Sequence, residues 1–249
     1  MTTRRDFITK TATATVAAVT IPAIVTSALA ATSKKRIGLE TGNIILLQGD
    51  SITDWGRDKT KNEPNTTAAL GSGYAMQAAA GLLYKYADKN LQVYNKGISG
   101  NKVYQLAERW DNDCLNIKPN VLSILIGVND FWHTLTGGYK GTVDIYTSDF
   151  KKLLDRTKQA LPDIKLIIGE PFAVKGVKAV DDKWYPAFNA YRASAKDIAD
   201  QYDAVWIPYQ SIFDKAQEIA PGSYWTIDGV HPSVAGAQLM AHAWLETVK

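Results

Sequence analysis

The feature that most constrains this chain is an alternation. From residue 43 to the end, short uninterrupted apolar runs trade places with longer amphipathic stretches. The apolar runs fall at 43–48 (with Ile44-Ile45-Leu46-Leu47), 91–94, 121–126, 165–168 and 204–207. Each is too short for a helix, and most are rich in β-formers. A strand with one wet face alternates apolar and polar residues, whereas a strand covered on both faces reads as a continuous apolar run. Helical spacing is expected over 74–86, 103–117, 146–161, 184–202, from Ser211 onward, and over 233–248, with a loop at 221–232. Strands alternating with helices give a three-layer α/β/α sandwich around a five-stranded parallel sheet. In such folds the site lies at the carboxyl ends of the strands. The loops to inspect therefore follow Gln48, Tyr94, Ile126, Ile168 and Ile207.

Residues 1–30 stand apart from this pattern. Arg4 and Arg5, followed by Lys10, precede an uncharged stretch from Thr11 to Ala28, and Ala28-Leu29-Ala30 supplies small residues for a signal peptidase. The expected cut is before Ala31, which leaves 31–249 as one domain. The paired arginines resemble a twin-arginine signal, which exports folded proteins, so the expected destination is the periplasm or the outside of the cell. An uncleaved anchor is the competing reading, but the stretch is diluted by threonines and interrupted by Pro22, at roughly the 18-residue lower limit for a span. No stable membrane anchor is expected after cleavage.

The whole chain has 28 basic and 25 acidic residues. Without Arg4, Arg5, Lys10 and Asp6 it keeps 25 and 24, a net charge of +1. No basic excess remains to neutralise phosphates, so a nucleic-acid partner is not expected. Cys114 is the one cysteine. It excludes an internal disulfide and a cysteine-type zinc site, and it falls in the apolar stripe Leu106-Trp110-Cys114-Ile117, which marks it as core.

Four loops carry candidate chemistry. Gly49-Asp50-Ser51-Ile52 puts a serine just beyond a buried strand, where its hydroxyl is exposed and its own N–H faces the site with a helix behind it. A lone serine there reads first as an ordinary helix N-cap. Asn95-Lys96-Gly97-Ile98-Ser99-Gly100-Asn101 has two glycines that permit a close backbone turn and an N–H donor. Gly127-Val128-Asn129-Asp130 offers a neutral amide suited to an oxyanion, or an Asx-turn. In Asp228-Gly229-Val230-His231-Pro232, an Asp three residues before a His can hold the imidazole if the loop curls, which Gly229 eases. Of the three histidines, His242 lies in the last helix and His133 follows the Asn129 loop. His231 has Asp228 three residues before it and Pro232 directly after it.

In this order, Gly49-Asp50-Ser51-Ile52, Gly97-Ile98-Ser99-Gly100-Asn101, Gly127-Val128-Asn129-Asp130 and Asp228-Gly229-Val230-His231-Pro232 resemble the first, second, third and fifth sequence blocks of the SGNH/GDSL hydrolases. The resemblance spans nearly all of 31–249. It implies a flavodoxin-like sandwich and ester hydrolysis without a metal or other cofactor. It also implies that Ser51 attacks, His231 relays the proton and Asp228 orients His231. The oxyanion hole would be the N–H groups of Ser51 and Gly100 and the Asn129 amide, with Gly100 chosen over Gly97 as the last glycine of its block.

For the substrate, Asp50, Trp55, Arg57, Trp132, His133 and Trp225 are the candidate contacts, with Phe131, Trp184, Tyr185 and Tyr224 nearby. Aromatics beside polar groups suit sugar faces and edges, and equally suit sealing a core. Arg57 is a candidate for a uronate or hydroxyl contact, or for pairing with Asp54 or Asp58. No long apolar segment stands ready to cover an acyl chain. The expected substrate is a small-acyl ester, acetyl on a carbohydrate. A lipid acylhydrolase or thioesterase of the same fold, and a non-catalytic carbohydrate-binding relative, remain the alternatives. A metal site built from Asp50, Asp54, Asp58 and His231 is a further, weaker one.

Overall fold

The computed structural model describes residues 20–32 and 35–249. The paired arginines lie outside them. Five strands form one sheet: β1 (Ile44–Gly49), β2 (Gln92–Asn95), β3 (Val121–Leu125), β4 (Lys165–Gly169) and β5 (Val205–Ile207). All pairings are parallel and the order is β2-β1-β3-β4-β5. The expected three-layer sandwich is the observed fold. Burial explains the apolar runs: every residue of β3 is buried, as are Ile45 to Gly49 of β1.

The helices are α1 (Ile21–Thr32), α2 (Ser51–Asp54), α3 (Thr67–Leu70), α4 (Tyr74–Lys85), α5 (Val103–Glu108), α6 (Val128–Thr136), α7 (Val143–Ala160), α8 (Phe188–Gln201), α9 (Tyr209–Ala216), α10 (Gly222–Trp225) and α11 (Val234–Leu245). On one side of the sheet α4 packs on α11, and α1 packs on α9 and α11; on the other, α7 packs on α5 and α8. The two layers are tied to polar groups inside the core. The Trp244 Nε1–H donates to Ser123 Oγ of the central strand at 2.9 Å, and the Trp110 Nε1–H donates to Thr157 Oγ1 at 2.9 Å. Each buried indole thus keeps the partner that burial would otherwise remove.

Three expected elements differ. The helix over 103–117 ends at Glu108 and resumes as a π-helical turn at Asp111–Leu115. Cys114 is nonetheless core, and burial pushes its thiol up to about 12. The helix expected from Trp184 starts at Phe188, because Trp184 is spent on the core and donates to the Ala179 carbonyl in the preceding loop at 2.8 Å. The loop at 221–232 contains α10, one short turn.

α1 includes the end of the segment expected to be removed. Ile24, Val25 and Ala28 are buried against the domain, and the Ala30–Ala31 bond lies inside the helix. No helix among the described residues is long and apolar enough to cross a membrane.

Candidate active site

The nucleophile's position follows from the end of β1. The chain leaves the sheet at Gly49, where a Cβ would lie 2.3 Å from the Leu125 carbonyl oxygen and 2.5 Å from Thr53 Oγ1. Only glycine lets the turn sit this close to β3. Asp50 caps the next turn, its Oδ1 accepting from the Ile52 N–H at 3.0 Å. Ser51 then opens α2 at the carboxyl edge of the sheet. α2 is a single turn, so the helix dipole expected behind Ser51 is small.

The partner comes from the far end of the chain. Asp228 Oδ1 accepts from the backbone N–H groups of Val230 at 2.9 Å and His231 at 2.8 Å. This curl needs Gly229, whose φ is +97°; a Cβ there would strike the Val174 and Val177 carbonyls at 2.8 Å. The loop is pinned where the Val174 N–H donates to the Gly229 carbonyl at 2.7 Å. Within it the His231 Nδ1–H donates to Asp228 Oδ2 at 2.7 Å. A carboxylate at Nδ1 assigns the hydrogen to that nitrogen and leaves the Nε2 lone pair free. Ser51 Oγ lies 2.8 Å from His231 Nε2, across 180 residues of sequence, and donates to it.

Electrostatics fix the charge at the Asp228 end of this line. Partial burial alone would raise the Asp228 carboxyl. The hydrogen bonds from the His231 ring and from the His231 and Val230 backbone outweigh it and hold Asp228 down at about 2. Asp228 is therefore an anion throughout the working range, facing the imidazole that must become a cation.

The β2 loop supplies the next wall. The Gly97 N–H is taken by Asn95 Oδ1 at 2.9 Å. No protein acceptor faces the N–H of Gly100 among the described residues. Of the two glycines, Gly100 is thus the one with a donor to offer. Asn129, the second residue of α6, is 3 % exposed. One Nδ2 hydrogen goes to the Asn101 carbonyl at 3.2 Å, which fixes the amide and leaves its second hydrogen available.

Two tryptophans flank the imidazole: the ring centroids of Trp55 and Trp132 lie 5.5 and 6.1 Å from that of His231. Trp55 is seated on Gly73, where any Cβ would meet the Trp55 Cβ at 2.6 Å and its ring at 3.0 Å. His133 borders the Gly100 turn, and burial, aided by Lys102, lowers its imidazole, which favours the neutral form.

Two expected substrate contacts, Asp50 and Trp225, are corrected. Asp50 is sealed, with Oδ2 buried and unpartnered, and burial raises it to about 7. Arg57 is mostly buried and donates from Nε to the Gly97 carbonyl at 2.7 Å, so it braces the β2 loop. Trp225 is buried too, its Nε1–H shared between the Ala216 and Ala220 carbonyls at 3.0 Å. Glu170, just after β4, is bound to Arg192 at 2.9 Å and to the Gln210 N–H at 3.1 Å. His242 lies near the far end of α11. Among the described residues no three of His, Cys, Asp and Glu are grouped so as to hold a metal ion.

Sequence reading missed the supports of the β2 loop. Asp54 Oδ2 accepts from both the N–H and the hydroxyl of Ser99, at 2.9 and 2.7 Å. Asn95 Nδ2 donates to the Thr53 and Leu70 carbonyls at 2.7 and 2.9 Å. A buried polar residue on a short loop is the signal, but exposure is not written in the sequence.

Residues 47–239 match the sequence model of the GDSL-like lipase/acylhydrolase family. The chain belongs to this family. It is a carboxylic ester hydrolase. A GDSL-like lipase from Parabacteroides merdae has a solved structure similar to this one, with a TM-score of 0.84 and 51% identity over 85% of this chain and 98% of that one. An acetylxylan esterase from Geobacillus stearothermophilus is 31% identical over 210 residues, 84% of this chain and 94% of the relative. Its structure superposes with a TM-score of 0.74.

Proposed function

We propose that this GDSL-family esterase removes acetyl groups from carbohydrate esters through Ser51, His231 and Asp228. The observation that carries the mechanism is the continuous line Asp228 Oδ2–His231 Nδ1, His231 Nε2–Ser51 Oγ, at 2.7 and 2.8 Å. His231 takes the hydroxyl proton as Ser51 Oγ attacks the ester carbonyl carbon. The negative charge that collects on the carbonyl oxygen meets the N–H groups of Ser51 and Gly100 and the second hydrogen of Asn129 Nδ2. Such fixed donors need not reorient during the step. Ionised Asp228 stabilises the imidazolium, which returns its proton to the leaving alcohol. Water then attacks the acyl-enzyme by the same route and frees acetate and Ser51.

The acetyl-carbohydrate part rests on two supports: the acetylxylan esterase relative, and the tryptophans Trp55 and Trp132 beside His231, which offer flat apolar faces to a sugar ring. Acetate release from acetylated xylooligosaccharides and other acetylated glycans, run beside nitrophenyl esters of increasing chain length, tests it. The expected result is acetate release with activity falling beyond short acyl chains. A maximum beyond butyrate would move the assignment to lipid or thioester acyl chains. The amino-terminal segment is proposed to be an export signal processed before Ala31; the N-terminus of the exported protein checks that directly.

A further inference from the structure

We propose that Arg109 is a positioning residue of the oxyanion site, presented to it by the break between α5 and the π-helical turn Asp111–Leu115; this rests on the roles proposed above for Ser51, Gly100 and Asn129. α5 stops at Glu108, and Arg109 adopts φ −111°, ψ 9°, outside the helix. The wide turn that follows closes with the Asn116 N–H donating to the Asp111 carbonyl at 2.8 Å. Single π-turns inside helices recur at functional sites. Here the break keeps Trp110 and Cys114 fully buried while the Arg109 guanidinium meets the β2 loop.

Three acceptors hold that guanidinium. Nε donates to Asn101 Oδ1 at 2.9 Å, and Nη1 donates to the Lys96 carbonyl at 2.8 Å and to Asp113 Oδ2 at 2.7 Å. The first two lie at either end of the loop that contains Gly100. The same Asn101 accepts the Asn129 amide on its carbonyl at 3.2 Å. A chain Asp113–Arg109–Asn101–Asn129 therefore joins the π-turn to one proposed oxyanion donor and brackets another. Lysine cannot replace this fork, because an ammonium lacks the planar geometry that serves several fixed acceptors.

Stability does not explain the arrangement. Arg109 Nη2 is buried with no protein partner among the described residues. Burying a charge with incomplete hydrogen bonding is costly, and apolar replacements of buried ion pairs are often neutral or stabilising. What the charge does here is hold a loop whose backbone donor and neighbouring amide must be aimed before the oxyanion forms.

The test is Arg109→Lys, measured alone and in an Asn129→Ala background, with rates expressed per fluorophosphonate-titratable Ser51. Alone, kcat is expected to fall at least about tenfold with KM changed less than about twofold, as for an interaction made only in the transition state. Affinity for a reversible boronate mimic of the tetrahedral intermediate should fall in parallel. In the Asn129→Ala background the same change should cost less than about threefold, because both residues act on one charge. Asp113→Asn, which loosens the same guanidinium, serves if the lysine variant does not fold, and should show the same split. Wild-type turnover in the lysine variant, or an equal cost in both backgrounds, would overturn the inference. So would a loss confined to the titratable fraction. None of these outcomes touches the nucleophile's role, which stands or falls separately with Ser51→Ala.

Discussion

At the residue scale, individual donors and charges decide the chemistry. Ser51→Ala is expected to lower turnover by several orders of magnitude while far-UV circular dichroism and the melting midpoint stay at wild type, since among the described residues Ser51 Oγ bonds only the His231 ring. Asn129→Ala should slow kcat about a hundredfold or more, the usual cost of losing one oxyanion donor; an unchanged rate would reduce Asn129 to a loop support. The carboxyls divide by environment. Asp228, held at about 2, has a folded value below its ordinary 3.8. Its contribution to stability is present above the unfolded value and is lost as pH falls through about 2. Asp50 has the opposite sign. Its folded value of about 7 lies above its ordinary 3.8, so the folded state binds the extra proton, and stability falls as pH rises from about 4 to about 7. Chemical denaturation of Asp50→Asn across pH 4 to 8 should show a shallower decline than wild type; parallel curves would contradict it. The sequence made Ser51, Asp228 and His231 legible because each stands in a short, ordered block. It misled at Asp50 and Trp225, because composition beside a site does not report whether a side chain points to solvent or to the core.

At the element scale, the legible features were the strands. A run such as Ile44-Ile45-Leu46-Leu47 is apolar because both faces of β1 are covered, and the pattern survives translation into structure with ends shifted by a residue. Helix 103–117 was less legible. Its stripe of Leu106, Trp110 and Cys114 is real and buried, yet the backbone breaks at Arg109 for reasons found in another loop. Periodicity reports the apolar face and says nothing of a polar side chain recruited elsewhere. The loop carrying Asp228 and His231 depends on glycine at 229. Gly229→Ala should reduce kcat and stability together, because the added Cβ meets two carbonyls at 2.8 Å at φ +97°. Wild-type stability in that variant would show that the loop can rearrange without cost.

At the scale of the whole molecule, the fold works as a frame that brings position 51 and position 231 together across the edge of a parallel sheet. The site draws on the loops after three neighbouring strands, β2, β1 and β3, and on the turn before α11. α1 lies outside that frame, against α9 and α11. A chain starting at Ala31 loses the buried side chains of Ile24, Val25 and Ala28, and with them about 1.5–3 kcal/mol for each large one. It is expected to melt several degrees lower with kcat unchanged; a changed kcat would mean that α1 acts on the site.

The central claim is that the hydroxyl of Ser51 is made nucleophilic by His231. Intact-mass and peptide mapping after exposure to a fluorophosphonate test it most directly. The account predicts one adduct per chain, on Ser51, forming as esterase activity disappears, and greatly slowed in His231→Ala. Full loss of activity with the adduct on another residue, or labelling of Ser51 at an undiminished rate without His231, would contradict it.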